Sequence, residues 1–156
     1  MITIQRPGRE PLEIESILLD FEGTLASDRR VHPKAKDKIN LLSKRAKIYI
    51  LTKEKKEQVT EIMRKVKAEI VHFPEEDVSR GKRDLLLQLG PNKTAAIGNG
   101  IDDTSMIQEA ALGICVISKE GTSVDTIKEA DLIFSNIIDA LDFLLKPLRQ
   151  KATLSP

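Results

Sequence analysis

The stretch "ILLDFEGTLAS", Ile17 to Ser27, decides how the rest of the chain is interpreted. An apolar run ends in one carboxylate, Asp20, and a second carboxylate, Glu22, follows before Gly23-Thr24. A buried strand that ends in unpaired charge is costly unless those charges bind a metal ion or take part in chemistry. The stretch therefore predicts a strand whose carboxyl end carries a functional site.

Short apolar runs alternate with charged amphipathic segments along the whole chain. The runs predicted to be buried strands cover 15–21, 46–52, 68–73, 93–99, 112–118 and 130–136. The segments with helical spacing cover 33–45, 54–67, 79–90, 103–111, 122–130 and 136–146. Strict alternation predicts a single α/β domain over 1–156, a three-layer Rossmann-like fold with a mainly parallel central sheet. Two alternating runs around Pro7-Gly8 predict a small hairpin before it.

Composition limits the classes of function. The 156 residues are 40% apolar and 31% charged, and 25 Lys and Arg residues nearly balance 24 Asp and Glu residues. This balance gives no electrostatic reason to expect a nucleic-acid partner. No apolar run approaches the roughly 20 residues that span a bilayer, so we expect no membrane partner. The one cysteine, Cys115, cannot form an internal disulfide, which favours a cytoplasmic location.

In open α/β sheets, ligands bind beyond the carboxyl ends of the strands. The first predicted strand ends at Asp20, the second at Thr52-Lys53, and the fourth is followed by the acidic loop 98–103. Lys82 begins the helix before that fourth strand. Together these segments supply a carboxylate nucleophile, a hydroxyl, an ammonium group and an acidic loop that can hold a metal ion. The pattern indicates phosphoryl transfer.

Four motifs in this order resemble those of the haloacid dehalogenase (HAD) superfamily: "DFEGTLA", "ILT", Lys82 and "IGNGIDDTSMI". Within that superfamily, "AAIGNGIDDTSMIQEAALGICVI" and "DALDFLLKPLRQKATL" are similar to the soluble P-type ATPase-like phosphatases. The fourth motif also resembles the "GDGxND" motif of the P-type ATPases. This chain lacks the membrane helices of those pumps, so we do not expect ion transport.

The resemblance implies a HAD-like hydrolase that acts on phosphate monoesters through an aspartyl-phosphate. Asp20 would attack phosphorus, and water would then hydrolyse the intermediate. Lys82 would offset the charge repulsion between that carboxylate and the phosphate. Thr52 would donate a hydrogen bond to the phosphoryl group, and Glu22 would be the general acid.

The resemblance also implies a Mg²⁺ cofactor. Mg²⁺ prefers hard oxygen ligands in octahedral geometry and keeps several of its waters. Its ligands would be a carboxylate oxygen of Asp20, the backbone carbonyl of Glu22, and side chains of Asn99 or Asp103. Asp102 remains an alternative ligand.

Two positions depart from the superfamily pattern. Glu22 stands where the phosphatases usually have Asp, and Asn99 stands where many have a metal-binding Asp. Both departures favour an alternative function, a catalytically weak or inactive regulatory protein that retains the metal-phosphate site. A phosphotransferase that uses an acceptor other than water is a third, weaker hypothesis.

The intervals between the motifs have no room for a cap domain. One flap and one helix fit between Asp20 and Thr52, and one helix and one strand fit between Thr52 and Lys82. We therefore expect an open site that accepts a large phosphorylated substrate or is completed by a second subunit. The flap comprises residues 26–32. Arg29 and Arg30 in this flap could meet an anionic substrate. The substrate itself and the homo-oligomeric state are left open.

Several candidates have simpler alternative roles. Lys53 and Arg83 compete with Lys82 as the phosphate-binding cation, while Thr52, Asp102 and Asp103 could merely cap helices. The residues predicted to have ordinary structural roles are Cys115 in the core and His32 and His72 in loops.

Overall fold

The computed structural model describes all residues, 1–156, with eight strands and seven α-helices. The strands are β1 Ile2–Arg6, β2 Arg9–Ile14, β3 Ser16–Asp20, β4 Lys47–Thr52, β5 Glu69–His72, β6 Thr94–Gly98, β7 Leu112–Val116 and β8 Leu132–Phe134. The helices are α1 Pro33–Leu42, α2 Lys56–Ile62, α3 Val78–Leu89, α4 Thr104–Glu109, α5 Val124–Glu129, α6 Ile137–Leu145 and α7 Pro147–Leu154. Single 3-10 turns occupy Glu75–Asp77, Pro91–Lys93 and Ile101–Asp103.

The central sheet has the strand order β5-β4-β3-β6-β7-β8, and every neighbouring pair is parallel. Strands β1 and β2 form a separate antiparallel hairpin whose turn contains Gly8 with φ of 78°. Both features confirm the predicted fold class. Because parallel strands all end at the same edge, the carboxyl ends of β3, β4 and β6 lie side by side.

Strand β3 lies in the middle of the sheet, and all five of its residues are buried. Ile17 and Leu19 face a core built with α1, α2, α6 and the hairpin. Leu18 faces the other side, where α3 and α4 pack. Successive side chains of a strand point to opposite faces, so an uninterrupted apolar run requires helices on both faces of the sheet.

Two elements differ from the prediction. The helix predicted over 54–67 is only α2, Lys56–Ile62, and the chain behind it turns through Lys65 with φ of 69°. The last helix predicted from the sequence covers 136–146 and does not include α7, which begins at Pro147. Pro fits the first turn of a helix but cannot continue one, so it separates α7 from α6. The buried Gln150 side chain donates to the Phe143 carbonyl at 2.7 Å and fixes α7 against α6.

No inserted domain covers the carboxyl edge of the sheet. Only the flap and α1 lie between β3 and β4, and only α2, β5 and a 3-10 turn lie between β4 and α3. This confirms the predicted absence of a cap. Among the helices, none has the length and apolar character that a membrane crossing requires.

Candidate active site

Three neighbouring strands bring the predicted site residues to one edge of the sheet. Asp20 ends β3, Thr52 ends β4, and Asn99 directly follows β6. Lys82 comes from the second turn of α3 and Asp103 from the 3-10 turn behind β6. All five side chains are buried, which distinguishes this polar cluster from an ordinary surface loop.

The ammonium group of Lys82 is the centre of the cluster. It donates to Asp20 Oδ1 at 2.9 Å and to Asp103 Oδ1 at 2.7 Å, and it lies 3.6 Å from Asp102 Oδ1. Lys82 is entirely buried, so these carboxylates replace the water that the ammonium would otherwise have. Lys82 thus lies beside the predicted nucleophile, and its role as the phosphate-binding cation stays a prediction.

The shared cation leaves the carboxylates incompletely neutralised. Burial raises the pKa of Asp20 well above its ordinary value, the nearby Asp103 carboxylate raises it further, and Lys82 lowers it only in part. Burial lowers the pKa of Lys82, but the surrounding carboxylates outweigh burial and raise it above its ordinary value. An additional positive charge would stabilise this cluster.

Asp103 has both carboxylate oxygens engaged within the protein. Oδ1 accepts from Lys82, and Oδ2 accepts from the backbone N–H groups of Asn99 at 3.0 Å and Gly100 at 3.1 Å. A side chain at Gly98 would overlap this carboxylate, which explains the glycine there. Asp103 thus holds the loop after β6 and orients Lys82.

Thr24 joins Asp20 to Asn99. Its hydroxyl lies 3.0 Å from Asp20 Oδ2 and 2.9 Å from Asn99 Oδ1. A hydroxyl has one proton, so it can donate to only one of these two acceptors at a time. Asn99 Nδ2 donates to the Gly121 carbonyl, which turns the amide oxygen toward Asp20. Gly23 allows this approach, because a Cβ there would lie 2.7 Å from Asn99 Nδ2.

The oxygens around Thr24 fit a hard divalent cation. Asp20 Oδ2 and Asn99 Oδ1 both lie within hydrogen-bond distance of the Thr24 hydroxyl, which has a single proton. The two carboxylates of Asp20 and Asp103 share the single ammonium group of Lys82. No group of three or more His, Cys, Asp or Glu side chains converges as a preformed metal cage. A cation would therefore need amide and backbone oxygens as well as Asp20, which suits Mg²⁺ with its retained waters.

Glu22 points away from this cation position and toward β4. Its Oε1 accepts from the Thr52 hydroxyl, from the Lys53 N–H at 3.0 Å and from the Glu54 N–H at 3.3 Å. Its Oε2 is buried and has no hydrogen-bond partner. Three donors that could hold an anion thus converge on one carboxylate oxygen of the protein itself.

The flap is a tight turn that connects two sides of the site. Ser27 and Arg30 exchange backbone hydrogen bonds, and the two residues between them, Asp28 and Arg29, have φ of 51° and 63°. Arg29 Nε lies 3.0 Å from Glu54 Oε1. Arg30 makes no such ion pair, so the two flap arginines have different surroundings.

The alternative candidates lie elsewhere or have other partners. Arg83 pairs with Glu109 at 2.7 Å, and Lys53 lies 3.7 Å from Asp102. The remaining three have structural surroundings: His32 caps α1 by accepting from Lys34 N–H, His72 contacts the Glu54 carbonyl, and Cys115 is buried in β7, where burial and Asp103 raise its pKa to about 11.

Thr24 was missing from the candidates inferred from sequence. Its position four residues after Asp20 places it across a tight loop, since Leu25 N–H donates to the Asp20 carbonyl. A hydroxyl at that spacing after a candidate nucleophile was the available signal. The side-chain direction of Glu22 had no signal in the sequence, because it depends on the backbone of a different strand.

Solved structures share this fold at low sequence identity. The 3-deoxy-D-manno-octulosonate 8-phosphate phosphatase of Moraxella catarrhalis, in complex with magnesium, phosphate and KDO, has a TM-score of 0.71 and 16% identity over 90% of this chain and 91% of its own. The cobalt-bound form of the corresponding Haemophilus influenzae phosphatase has a TM-score of 0.70 and 14% identity over 90% and 89%. A Legionella pneumophila protein described as a HAD superfamily subfamily III A hydrolase has a TM-score of 0.68 and 19% identity over 90% and 86%.

One sequence relative is much closer over a shorter region. The uncharacterized protein MJ0073 of Methanocaldococcus jannaschii is 50% identical over 64 residues, which are 40% of this chain and 69% of that protein. No family model matches the chain.

Proposed function

We propose that this chain, which has the fold of the haloacid dehalogenase superfamily and belongs to one family with MJ0073, is a metal-dependent phosphatase. The observation that carries the proposal is the buried pair of Asp20 and Lys82 at the carboxyl end of the central strand. Burying a carboxylate beside a lysine and two further carboxylates is costly for a purely structural role, whereas a phosphoryl-transfer site can use such a cluster to hold its nucleophile.

In the proposed reaction Asp20 attacks the phosphorus of a monoester. A bond forms between the carboxylate oxygen and phosphorus, and the ester P–O bond breaks. Lys82 and the Thr52 hydroxyl stabilise charge on the transferring phosphoryl group. Glu22 gives its proton to the leaving oxygen and later takes one from the water that hydrolyses the aspartyl-phosphate.

Asp20, Asn99 and the Glu22 backbone carbonyl would hold the cation. When bound, Mg²⁺ offsets the repulsion between the carboxylate nucleophile and the phosphate. Asp103, whose oxygens hold Lys82 and the loop, would position the other groups without necessarily touching the ion.

Activity is tested with p-nitrophenyl phosphate in the presence of Mg²⁺ and of EDTA. We expect metal-dependent turnover that Asp20→Asn abolishes, because the amide is not a nucleophile. Asp37→Asn is the matched control, since Asp37 is exposed on α1 and away from the site. Turnover that persists in Asp20→Asn would refute the assignment of the nucleophile.

The metal site is tested by calorimetric titration with Mg²⁺. Asn99→Asp should tighten binding and Asn99→Ala should weaken it, because the first adds a charge and the second removes a ligand. One charge at about 4 Å is worth about 4 kcal/mol at an effective dielectric constant of 20, so a change of tenfold or more should survive desolvation costs. Equal affinities in all three proteins would place the cation elsewhere.

A second candidate function is a binding protein with little turnover. The contact of Glu22 with Thr52 favours it, because that carboxylate occupies donors that a phosphoryl group would need. Tight binding of Mg²⁺ together with weak binding of inorganic phosphate and no ester hydrolysis would support this function over the phosphatase.

A further inference from the structure

A cavity of about 810 Å³ lies beside the proposed nucleophile. It is bounded by the flap on one side and by the segments that follow β7 and β8 on the other. Thr24, whose hydroxyl is 3.0 Å from Asp20 Oδ2, lines its inner end. This volume is typical of sites for small molecules, and the organic part of a bound ester would have this space available.

The lining of the cavity carries two cations that have no ion-pair partner. Arg30 and Lys119 both line it, and neither has a carboxylate oxygen within 4.0 Å. Asp28 is the only carboxylate in the lining. The neighbouring Arg29 is different, since Glu54 already neutralises it. The cavity therefore has an excess of positive charge.

The uncharged part of the lining is mixed. Ser118, Ser135 and Asn136 supply hydrogen-bonding groups, and Val31 and Ile137 supply apolar surface. Apolar walls with a few convergent polar groups are the usual composition of a small-molecule site.

We infer that this cavity binds the leaving-group portion of the substrate, and that Arg30 and Lys119 select a small phosphomonoester that carries a second acidic group. The phosphoryl group would lie at Asp20, and the second acid would lie at the two cations. The inference rests on the proposed function for the reaction. Binding of the second acidic group in the cavity can be measured even when no ester is hydrolysed.

Matched substrate pairs isolate the second acidic group. 3-Phosphoglycerate is compared with glycerol 3-phosphate, and 6-phosphogluconate with sorbitol 6-phosphate; within each pair a carboxylate replaces a hydroxymethyl group. The two pairs differ in length, which covers the span of the cavity. We expect kcat/KM for the acid of at least one pair to exceed that of its neutral partner by about 10- to 100-fold, the range of one charge-assisted hydrogen bond.

Arg30→Gln and Lys119→Gln should each reduce this ratio by about tenfold or more. Arg30→Gln should leave the flap in place, because Arg30 makes its hydrogen bonds to Ser27 through its backbone. Lys151→Gln, which removes an exposed cation on α7, is the control and should leave the ratio unchanged. Ratios near one in the parent for both pairs, or ratios that neither variant lowers, would overturn the inference.

Binding separates this inference from the proposed reaction. The same pairs are titrated calorimetrically into Asp20→Asn and into the EDTA-treated parent. Preferential binding of the acid that depends on Arg30 and Lys119 would support the cavity even if no ester is hydrolysed and the phosphatase proposal fails. Equal binding of acid and neutral partners would overturn the cavity assignment even if turnover of p-nitrophenyl phosphate is normal.

Discussion

At the scale of the residue, Glu22 has two opposing effects on the proposed reaction: it is the general acid, and it occupies donors that a phosphoryl group would use. As a general acid it should face the leaving group, yet its carboxylate accepts from Thr52 and from two backbone N–H groups. One of those donors, the Thr52 hydroxyl, is also the group that the proposal assigns to the phosphoryl group. Phosphate binding would therefore require the Glu22 side chain to rotate away, and the lost contacts would be a cost to affinity.

Removing the carboxylate should then affect affinity and catalysis in opposite directions. Glu22→Ala should tighten inhibition by inorganic phosphate about tenfold, because the Thr52 hydroxyl and the Lys53 N–H lose their acceptor and become free. The same variant should slow hydrolysis of an alkyl phosphate by about 100- to 10,000-fold, because the leaving alkoxide loses its proton source. The inhibition constant and kcat are measured with glycerol 3-phosphate.

Glu57→Ala is the matched control for Glu22→Ala. Glu57 is an exposed carboxylate in the first turn of α2, and removing it changes the local charge without freeing these donors. A phosphate inhibition constant that is unchanged in Glu22→Ala would show that Glu22 does not compete with the ligand.

The sequence pattern specifies the roles of some site residues better than those of others. The spacing of the motifs led to Asp20 and Lys82, because strand ends in a parallel sheet must meet. The motif spacing could not show that both carboxylate oxygens of Asp103 accept hydrogen bonds, one from Lys82 and the other from backbone N–H groups. Those contacts depend on the conformation of the loop. Thr24 was missed for the same reason.

At the scale of the element, the flap turn is held in an unfavourable backbone conformation. Two-residue hairpin turns with positive φ at both positions favour Asn-Gly, whereas this chain has Asp28-Arg29. Asp tolerates this region of φ and ψ better than Arg does. The ion pair between the exposed Arg29 and the partly buried Glu54 offsets part of this cost.

A comparison of two substitutions at Arg29 tests this conformation. Both Arg29→Gly and Arg29→Ala remove the ion pair, but only glycine adopts positive φ without strain. We expect the glycine variant to be more stable than the alanine variant by about 1 kcal/mol in urea unfolding. Arg29→Lys, which keeps both the charge and the strain, should lie near the parent. Equal stability of the glycine and alanine variants would contradict the positive φ.

Element types were easier to predict from the sequence than element ends. The six apolar runs correspond to β3 through β8. The central strands β3, β4, β6 and β7 are buried on both faces, whereas the edge strands β5 and β8 are partly exposed. Helix ends depend on tertiary contacts, as the short α2 shows. The helix α7 was not predicted, although Pro147 was the available signal for its start.

At the scale of the whole molecule, one carboxylate ties three helices together. Asp142 on α6 is buried and lies 2.7 Å from Lys38 of α1, 3.5 Å from Lys146 and 3.7 Å from Arg149 of α7. Burial alone raises the pKa of Asp142, but the hydrogen bond and charge of Lys38, with Lys146 and Arg149, outweigh burial and lower it below its ordinary value.

The lowered pKa fixes how Asp142 contributes to stability at different pH. Its folded pKa lies below its unfolded pKa, so the stabilisation is present above the unfolded value and is lost as the pH falls through the folded value. Asp142→Asn should therefore reduce the free energy of unfolding by about 1–3 kcal/mol at pH 7. The difference from the parent should shrink as the pH is lowered below about 4. Urea unfolding at several pH values measures both quantities.

Asp84→Asn, an exposed position on α3, is the control and should change stability little at any pH. A constant difference between Asp142→Asn and the parent from pH 7 to pH 3 would mean that shape, not charge, accounts for the effect.

The central position of β3 also has a consequence for the order in which the chain folds. Residue 16 pairs with residue 47 on one side of the strand and with residue 94 on the other. Closing the longer loop costs more chain entropy, so β4 should join β3 before β6 does. In that interval one edge of β3, which is fully buried in the folded chain, is unpaired, and a partly folded molecule could add a strand from another copy there. The strand that carries the proposed nucleophile is thus also the place where misfolding competes with folding.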